Sequence, residues 1–124
     1  MSFDPFGTGF GNQVQTPAAG VALVNGTPDI ISWQVPDDGQ QHPFMVIGQA
    51  NVTGAETGGA VQVTYTPASG AAGTLTLSAG GLGTGVHAFT FEARVAAPGS
   101  VVTVTQSTAL TAGAAVINAS IIGQ

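Results

Sequence analysis

The chain reads as an all-β protein. Short apolar or alternating runs recur along it, Gly, Pro and Asn-Gly turns separate them, and no window carries an apolar stripe of helical period. Eight such runs with regular turn punctuation predict an antiparallel sandwich or barrel. At 124 residues the chain has the length of one ordinary domain and can bury a core without disulfides or metal.

The leading segment, residues 1–19, differs from the rest. Phe3, Phe6 and Phe10 are spaced by Pro5, Gly7, Gly9 and Gly11, and neither a helical nor a strand period survives. It is expected to form an extended N-terminal arm ahead of a β-domain at 20–124. Such an arm either docks its phenylalanines into a neighbouring surface or folds back over its own domain.

From Gly20 onward the pattern is strand, turn, strand. The apolar run 21–24 closes at Asn25-Gly26, and 30–35 closes at Pro36-Asp37-Asp38-Gly39. Phe44-Met45-Val46-Ile47 is continuously apolar, as in a strand covered on both faces. Val61, Val63 and Tyr65 alternate with Gln62, Thr64 and Thr66, a half-buried strand. Leu75 and Leu77 alternate with Thr74, Thr76 and Ser78, and Phe89 and Phe91 alternate with Thr90 and Glu92 in a strand reaching Val95. Residues 101–105 are dense in β-branched side chains, and 114–122 close the chain. In this last run Ile117, Ala119 and Ile121 share one face, with Val116 and Ile122 on the other. One face should therefore meet the core and the other a partner.

Charge is scarce. Apolar residues make up 44% of the chain and charged residues 6%, against about 25% in an ordinary soluble domain. Lys is absent, Arg94 is the only arginine, and the net charge of −5 comes from Asp4, Asp29, Asp37, Asp38, Glu56 and Glu92. One cation cannot grip a phosphate backbone or an anionic membrane surface, so neither nucleic acid nor membrane is expected as a partner. The absence of cysteine removes disulfides and thiolate metal sites. No apolar run approaches the ~20 residues of a spanning helix, and Met1-Ser2-Phe3-Asp4-Pro5 does not read as a secretory signal, so synthesis in a cytoplasm is expected. A surface left to Thr, Ser, Gln, Asn, Gly and Ala is easily desolvated. It fits a protein that covers much of itself with copies or a scaffold.

Catalytic chemistry finds little support. His87 falls in phase with Phe89 and Phe91 and has no acid beside it on its face, so it reads as a structural histidine. Asp37, Asp38 and His42 offer oxygen and nitrogen ligands, but acidic turns form without metal and the spacing lacks the oxygen series of a calcium loop. Glu92 and Arg94 share a strand face and are expected to pair, within the chain or across a subunit boundary. The glycine-rich run 80–85 lacks the lysine of a phosphate loop and leads into a strand, and no serine sits in a Gly-x-Ser-x-Gly elbow. No enzyme activity, metal or cofactor is expected. Trp33 and Tyr65 are the candidate ligand contacts, as platforms for sugar stacking, although a lone Trp is more often a core or interface anchor.

A family likeness appears in the C-terminal half. Gly85-Val86-His87-Ala88-Phe89-Thr90-Phe91-Glu92-Ala93-Arg94-Val95 leads through a Pro-Gly turn to Ser100-Val101-Val102-Thr103-Val104-Thr105, and then to Ala115-Val116-Ile117-Asn118-Ala119-Ser120-Ile121-Ile122. This order resembles the last strands of small trimeric jelly rolls, similar to the tumour-necrosis-factor and complement C1q heads. It resembles most the versions found in tailed-phage virions as capsid decoration proteins, minor capsid proteins and fibre heads. The likeness spans roughly residues 44–124, and the Ala/Gly/Val/Thr richness is similar to that of proteins from phages of high-GC actinobacteria.

The resemblance implies an eight-stranded antiparallel jelly-roll β-sandwich that forms a homotrimer on the capsid surface, binds the major capsid protein and stiffens the shell after synthesis in the host bacterium. It implies that Phe3, Phe6 and Phe10 anchor the arm to the capsid. It also implies that strands 86–95 and 114–122 face the threefold axis, which makes His87, Phe89, Phe91, Ile117, Ala119 and Ile121 the expected oligomer interface. A hexameric tail-tube ring is a structural variant of the same idea. The alternative is a fibre-tip or carbohydrate-binding module used in host recognition, with Trp33, Tyr65 and the turn 36–42 as contacts.

Overall fold

Alternation of side chains between the two faces of a strand lets two sheets share one apolar interior, and this chain is built on that principle. The computed structural model describes residues 14–68 and 73–124, so Phe3, Phe6 and Phe10 lie outside the described residues. The strands are β1 (Val14–Ala22), β2 (Asp29–Gln34), β3 (His42–Gly58), β4 (Val61–Tyr65), β5 (Gly73–Ser78), β6 (Gly85–Ala96), β7 (Val101–Gln106) and β8 (Leu110–Gly123). They form two antiparallel four-stranded sheets, in the orders β1-β8-β3-β6 and β2-β7-β4-β5, and no helix occurs among the described residues. The molecule is a β-sandwich.

The first sheet sends Phe44, Val46, Ala50 and Val52 of β3, and Ala115, Ile117, Ala119 and Ile121 of β8, into the interior. The second sheet meets them with Ile31 and Trp33 of β2, Val61 and Val63 of β4, and Val102 and Val104 of β7. Phe44 and Tyr65 link the layers edge to face, with ring centroids 5.2 Å apart and planes at 66°. Burying one such aliphatic side chain contributes about 1.5–3 kcal/mol, so the interleaved valines and isoleucines are the main stabilising force.

Three strands differ from their sequence-based expectation. β1 begins at Val14 and pairs with β8 from Val14↔Gly123 to Ala22↔Val116, so residues 14–19 belong to the sheet and not to an arm. Its strand period is hidden because small residues carry it and a register shift between Ala18 and Val21, with Gly20 at φ 64°, interrupts it. Pro17 is tolerated because β1 is an edge strand. β3 runs to Gly58 and β8 starts at Leu110, both well beyond the expected apolar cores, because the two strands continue to pair through three further irregularities.

Glycine is required where the layers touch. A Cβ on Gly123 would fall 2.3 Å from the Trp33 ring, so only glycine lets the indole lie against the end of β8. A buried amide closes the opposite end. Gln106, 1% exposed, accepts from the Val24 N–H at 3.1 Å and donates to the carbonyls of Val24 at 2.7 Å and Thr108 at 2.9 Å. The side chain thereby acts as a strand partner for the β1–β2 connection.

Two outcomes are expected in urea denaturation followed by circular dichroism. Gln106→Ala removes three hydrogen bonds, one from the Val24 N–H and two to the Val24 and Thr108 carbonyls, and costs about 2 kcal/mol. Gly123→Ala overpacks the Trp33 contact and costs about 3 kcal/mol, with a shift in Trp33 emission.

Candidate functional site

The outward-facing positions of the two sheets differ in chemistry. On the second sheet Ser32, Thr103, Thr64 and Thr74 stand side by side across all the strands, and Thr105, Gln62 and Thr76 form the next row. Ser32 Oγ lies 3.4 Å from Thr103 Oγ1. This is the largely polar outer face that a half-solvated antiparallel sheet carries, with Val101, 43% exposed, beside Gln34 at its margin.

The outer face of the first sheet breaks that rule. Its two central strands pair Met45 with Ile122, Ile47 with Ser120, Gln49 with Asn118, and Asn51 with Val116. Pro17 flanks them on β1, and Val86, Ala88 and Thr90 flank them on β6. Val86 is 61% exposed and Val95, also outward on β6, is 40% exposed. Small residues at its centre leave a shallow groove of about 600 Å³, walled by Pro17, Ile47, Gln49, Ala88, Asn118 and Ser120. Asn118 Oδ1 accepts the Gly20 N–H at 2.8 Å, so the β1 bulge is tied to the groove wall.

Four of the residues expected at an oligomer interface face the interior instead. Ile117 and Ile121 are fully buried between the sheets, and Ala119 and Phe89 are nearly so. Their strands do carry an outward face, but it belongs to Val116, Asn118, Ser120, Ile122, Ala88 and Thr90. The alternation was visible in the sequence, whereas the side that turned inward was set by the opposite sheet. Phe91 pairs with Val46 in the β3–β6 ladder, and its side chain lies outside the described residues. His87 is half-buried at the margin of β6, where its Nε2–H donates to the Gly83 carbonyl at 2.8 Å.

Trp33 is 7% exposed and packed in the core, so it offers no sugar platform. Tyr65 is half-buried against Phe44 and the chain at Gly73. Arg94 is also half-buried and its Nη1 donates to the Ala93 carbonyl at 3.2 Å, while the Glu92 side chain lies outside the described residues. Glu56, which the sequence did not single out, is buried on β3. Its Oε2 accepts the Leu82 N–H at 3.3 Å, its own N–H donates to the Leu82 carbonyl at 2.8 Å, and Oε1 has no partner. It latches the glycine-rich 80–85 connection to the first sheet.

Asp38 and His42 are used on each other. The imidazole Nε2–H donates to Asp38 Oδ1 at 2.8 Å and Nδ1–H donates to the backbone oxygen of Gln124, so the ring clasps the β2–β3 turn to the end of β8. Both neighbours are acceptors, and only the doubly protonated ring satisfies both. Burial opposes that charge most strongly. The hydrogen bond and attraction of Asp38, with the Gln124 oxygen, outweigh it and raise the His42 pKa above 6.5. The hydrogen bond from His42, helped by the Gln40 N–H at 3.0 Å, holds the Asp38 carboxyl below 3.8. Because both ring nitrogens are engaged, His42 has no free nitrogen for proton abstraction.

The clasp therefore stabilises the fold fully below the ordinary histidine pKa, and the gain is lost as pH rises through the raised value of His42. The Asp38 contribution is present above the ordinary carboxylate pKa and disappears as pH falls through its lowered value. Melting temperature should decline as pH rises from about 6.5 through the raised His42 value, and Asp38→Asn should flatten that decline. A wild-type melting temperature constant over this interval would remove the clasp.

Comparison of the chain with family models, with curated proteins and with solved structures found no match.

Proposed function

We propose that this protein is a structural virion component, a capsid decoration or minor capsid protein that assembles as a homotrimer on a phage head and stabilises the shell. The observation that carries the reading is the outer face of the first sheet, which sets Met45, Ile47, Val86, Val116 and Ile122 among amides and hydroxyls and is partly apolar where an isolated sandwich would present mostly polar side chains. The chain also has one arginine, no lysine and only six carboxylates in 124 residues, so it has few ionic groups with which to hold a partner. Shape and apolar contact remain, and these govern permanent assemblies.

The finer fold belongs to the same proposal. Strand orders β1-β8-β3-β6 and β2-β7-β4-β5 support an eight-stranded jelly roll, since the chain changes sheet at every connection except β4 to β5. The likeness of residues 85–122 to the closing strands of trimeric jelly-roll heads agrees with that topology. In this reading the major capsid protein is the scaffold partner, and Phe3, Phe6 and Phe10 supply the anchor. The host-recognition alternative loses Trp33 as a platform, because that ring is buried, and keeps the half-buried Tyr65 and the turn 36–42.

Native mass spectrometry of the purified chain is expected to show a trimer. An antibody raised against it is expected to label particle heads in negative stain. Label confined to fibre tips would transfer the protein to host recognition, and particles without label would overturn the virion role.

A further inference from the structure

We infer that His42 is a proton-operated latch: when the ring gives up one proton to solvent, the end of β8 is released and the β2–β3 turn stays tied. The inference concerns the fold alone and stands apart from the assembly reading.

One ring serves two arms. Nε2–H donates to Asp38 Oδ1 at 2.8 Å, and Nδ1–H donates to the Gln124 backbone oxygen. Neither acceptor has a proton to offer in return, since an ionised carboxylate and a backbone oxygen only accept. Neutral imidazole carries one N–H, so it keeps one arm and turns a bare nitrogen toward the other acceptor. The ring is buried, and two facing lone pairs in so dry a place repel. Losing one proton therefore converts one arm from a hydrogen bond into a clash.

The surroundings decide which arm opens. Asp38 is an anion four residues away in the same turn, and the Gln40 N–H fixes its carboxylate at 3.0 Å. Gln124 lies 82 residues away and offers a main-chain oxygen. The nearer, charge-assisted bond is the stronger, so the Nε2 proton stays and the Nδ1 proton leaves. Other ionisable groups on the packed elements do not redirect this choice. Asp37, on the same turn, lies against Gly99, where a Cβ would meet its Cγ at 3.1 Å. β6 sets Ala96 opposite His42 and Arg94 opposite Phe44, with the Arg94 Nη1 donating to the Ala93 carbonyl. β4 brings Tyr65 against Phe44. Burial opposes the charged ring most, but Asp38 and the Gln124 oxygen outweigh it, so the change falls above the ordinary value of 6.5.

The freed arm reaches the core through two residues. The Gln124 N–H donates to the Pro43 carbonyl at 3.0 Å, and the adjacent Gly123 seats the Trp33 ring. Without the His42 arm, that end of β8 is held by its backbone bonds alone, and the Trp33 contact loosens from the Gly123 side.

The test is a pH titration of the full chain with ¹⁵N-labelled histidine, read by long-range ¹H–¹⁵N NMR. The other histidine, His87, is assigned from a His87→Gln sample. His42 should pass from two protonated nitrogens to a neutral ring protonated at Nε2 and bare at Nδ1. Emission of Trp33, the only tryptophan, should change with the same midpoint. Asp38→Asn should move that midpoint down by about one pH unit, because the charge that holds the ring proton is gone. His42→Gln should leave Trp33 emission constant across the interval. A neutral ring protonated at Nδ1 would mean that the turn opens and β8 stays tied, which overturns the proposal. So would Trp33 emission that stays flat while the ring titrates, or a His42 ring already neutral at pH 6.5. These wild-type readings decide the matter even where a variant fails to fold.

Discussion

The ladder between β3 and β8 is the constraint on which the other elements depend. It runs without interruption from Phe44↔Gly123 to Val52↔Ala115, and its inward side chains include the fully buried Val46, Ile117 and Ile121. β1 can add only to the free edge of β8, and β6 only to the free edge of β3. Close approach within the ladder is secured at Gly48, where a Cβ would fall 2.3 Å from the Asn118 oxygen. At its end, Gly123 admits the Trp33 ring and so sets how the second sheet lies over the first. One pair of strands therefore sets both the width of its own sheet and the seat of the other.

Polar side chains take the places where this apolar scheme runs out. Gln106 satisfies backbone groups of the β1–β2 connection, Glu56 holds the approach to β6, and His42 joins the β2–β3 turn to the end of β8. Each sits at a rim of the sandwich and ties a loop to a strand distant in sequence. In a chain with so few ionic groups, these contacts give specificity that surface ion pairs supply elsewhere. The two outer faces divide the remaining work. The second sheet carries the hydroxyl rows, and the first carries amides with half-covered apolar side chains between them.

Much of the architecture was legible from the residues. Strict alternation at Thr74 to Ser78 and the β-branched run at Val101 to Thr105 place β5 and β7 to within a residue. The first strand was missed because Thr16 and Ala18 are small and Pro17 reads as a breaker, although an edge strand accepts it. β3 was cut short after Ile47 because Gly48, Ala50 and Gly54 carry too little apolar bulk to show that the strand continues. The period of the last strand was legible, and its orientation was not. The period shows that Ile117, Ala119 and Ile121 share a side, but which side faces inward depends on Trp33 and Val104 across the sandwich, far away in sequence. Likewise, nothing local marks the reach of Gln106 to Val24 or of His42 to the Gln124 oxygen, since those partners lie 82 residues away.

The central position of β8 also bears on biosynthesis. A ribosome delivers β1 and β3 long before residues 110–123 emerge, and until then both strands face the gap between them with unsatisfied backbone groups. The first sheet cannot be zipped progressively from its N-terminal side. It waits for a strand that must slide into place between two others. During that wait the nascent chain is at its stickiest, and a message cut short before Ile117 would yield a product with two raw edges, a natural substrate for chaperones or proteolysis.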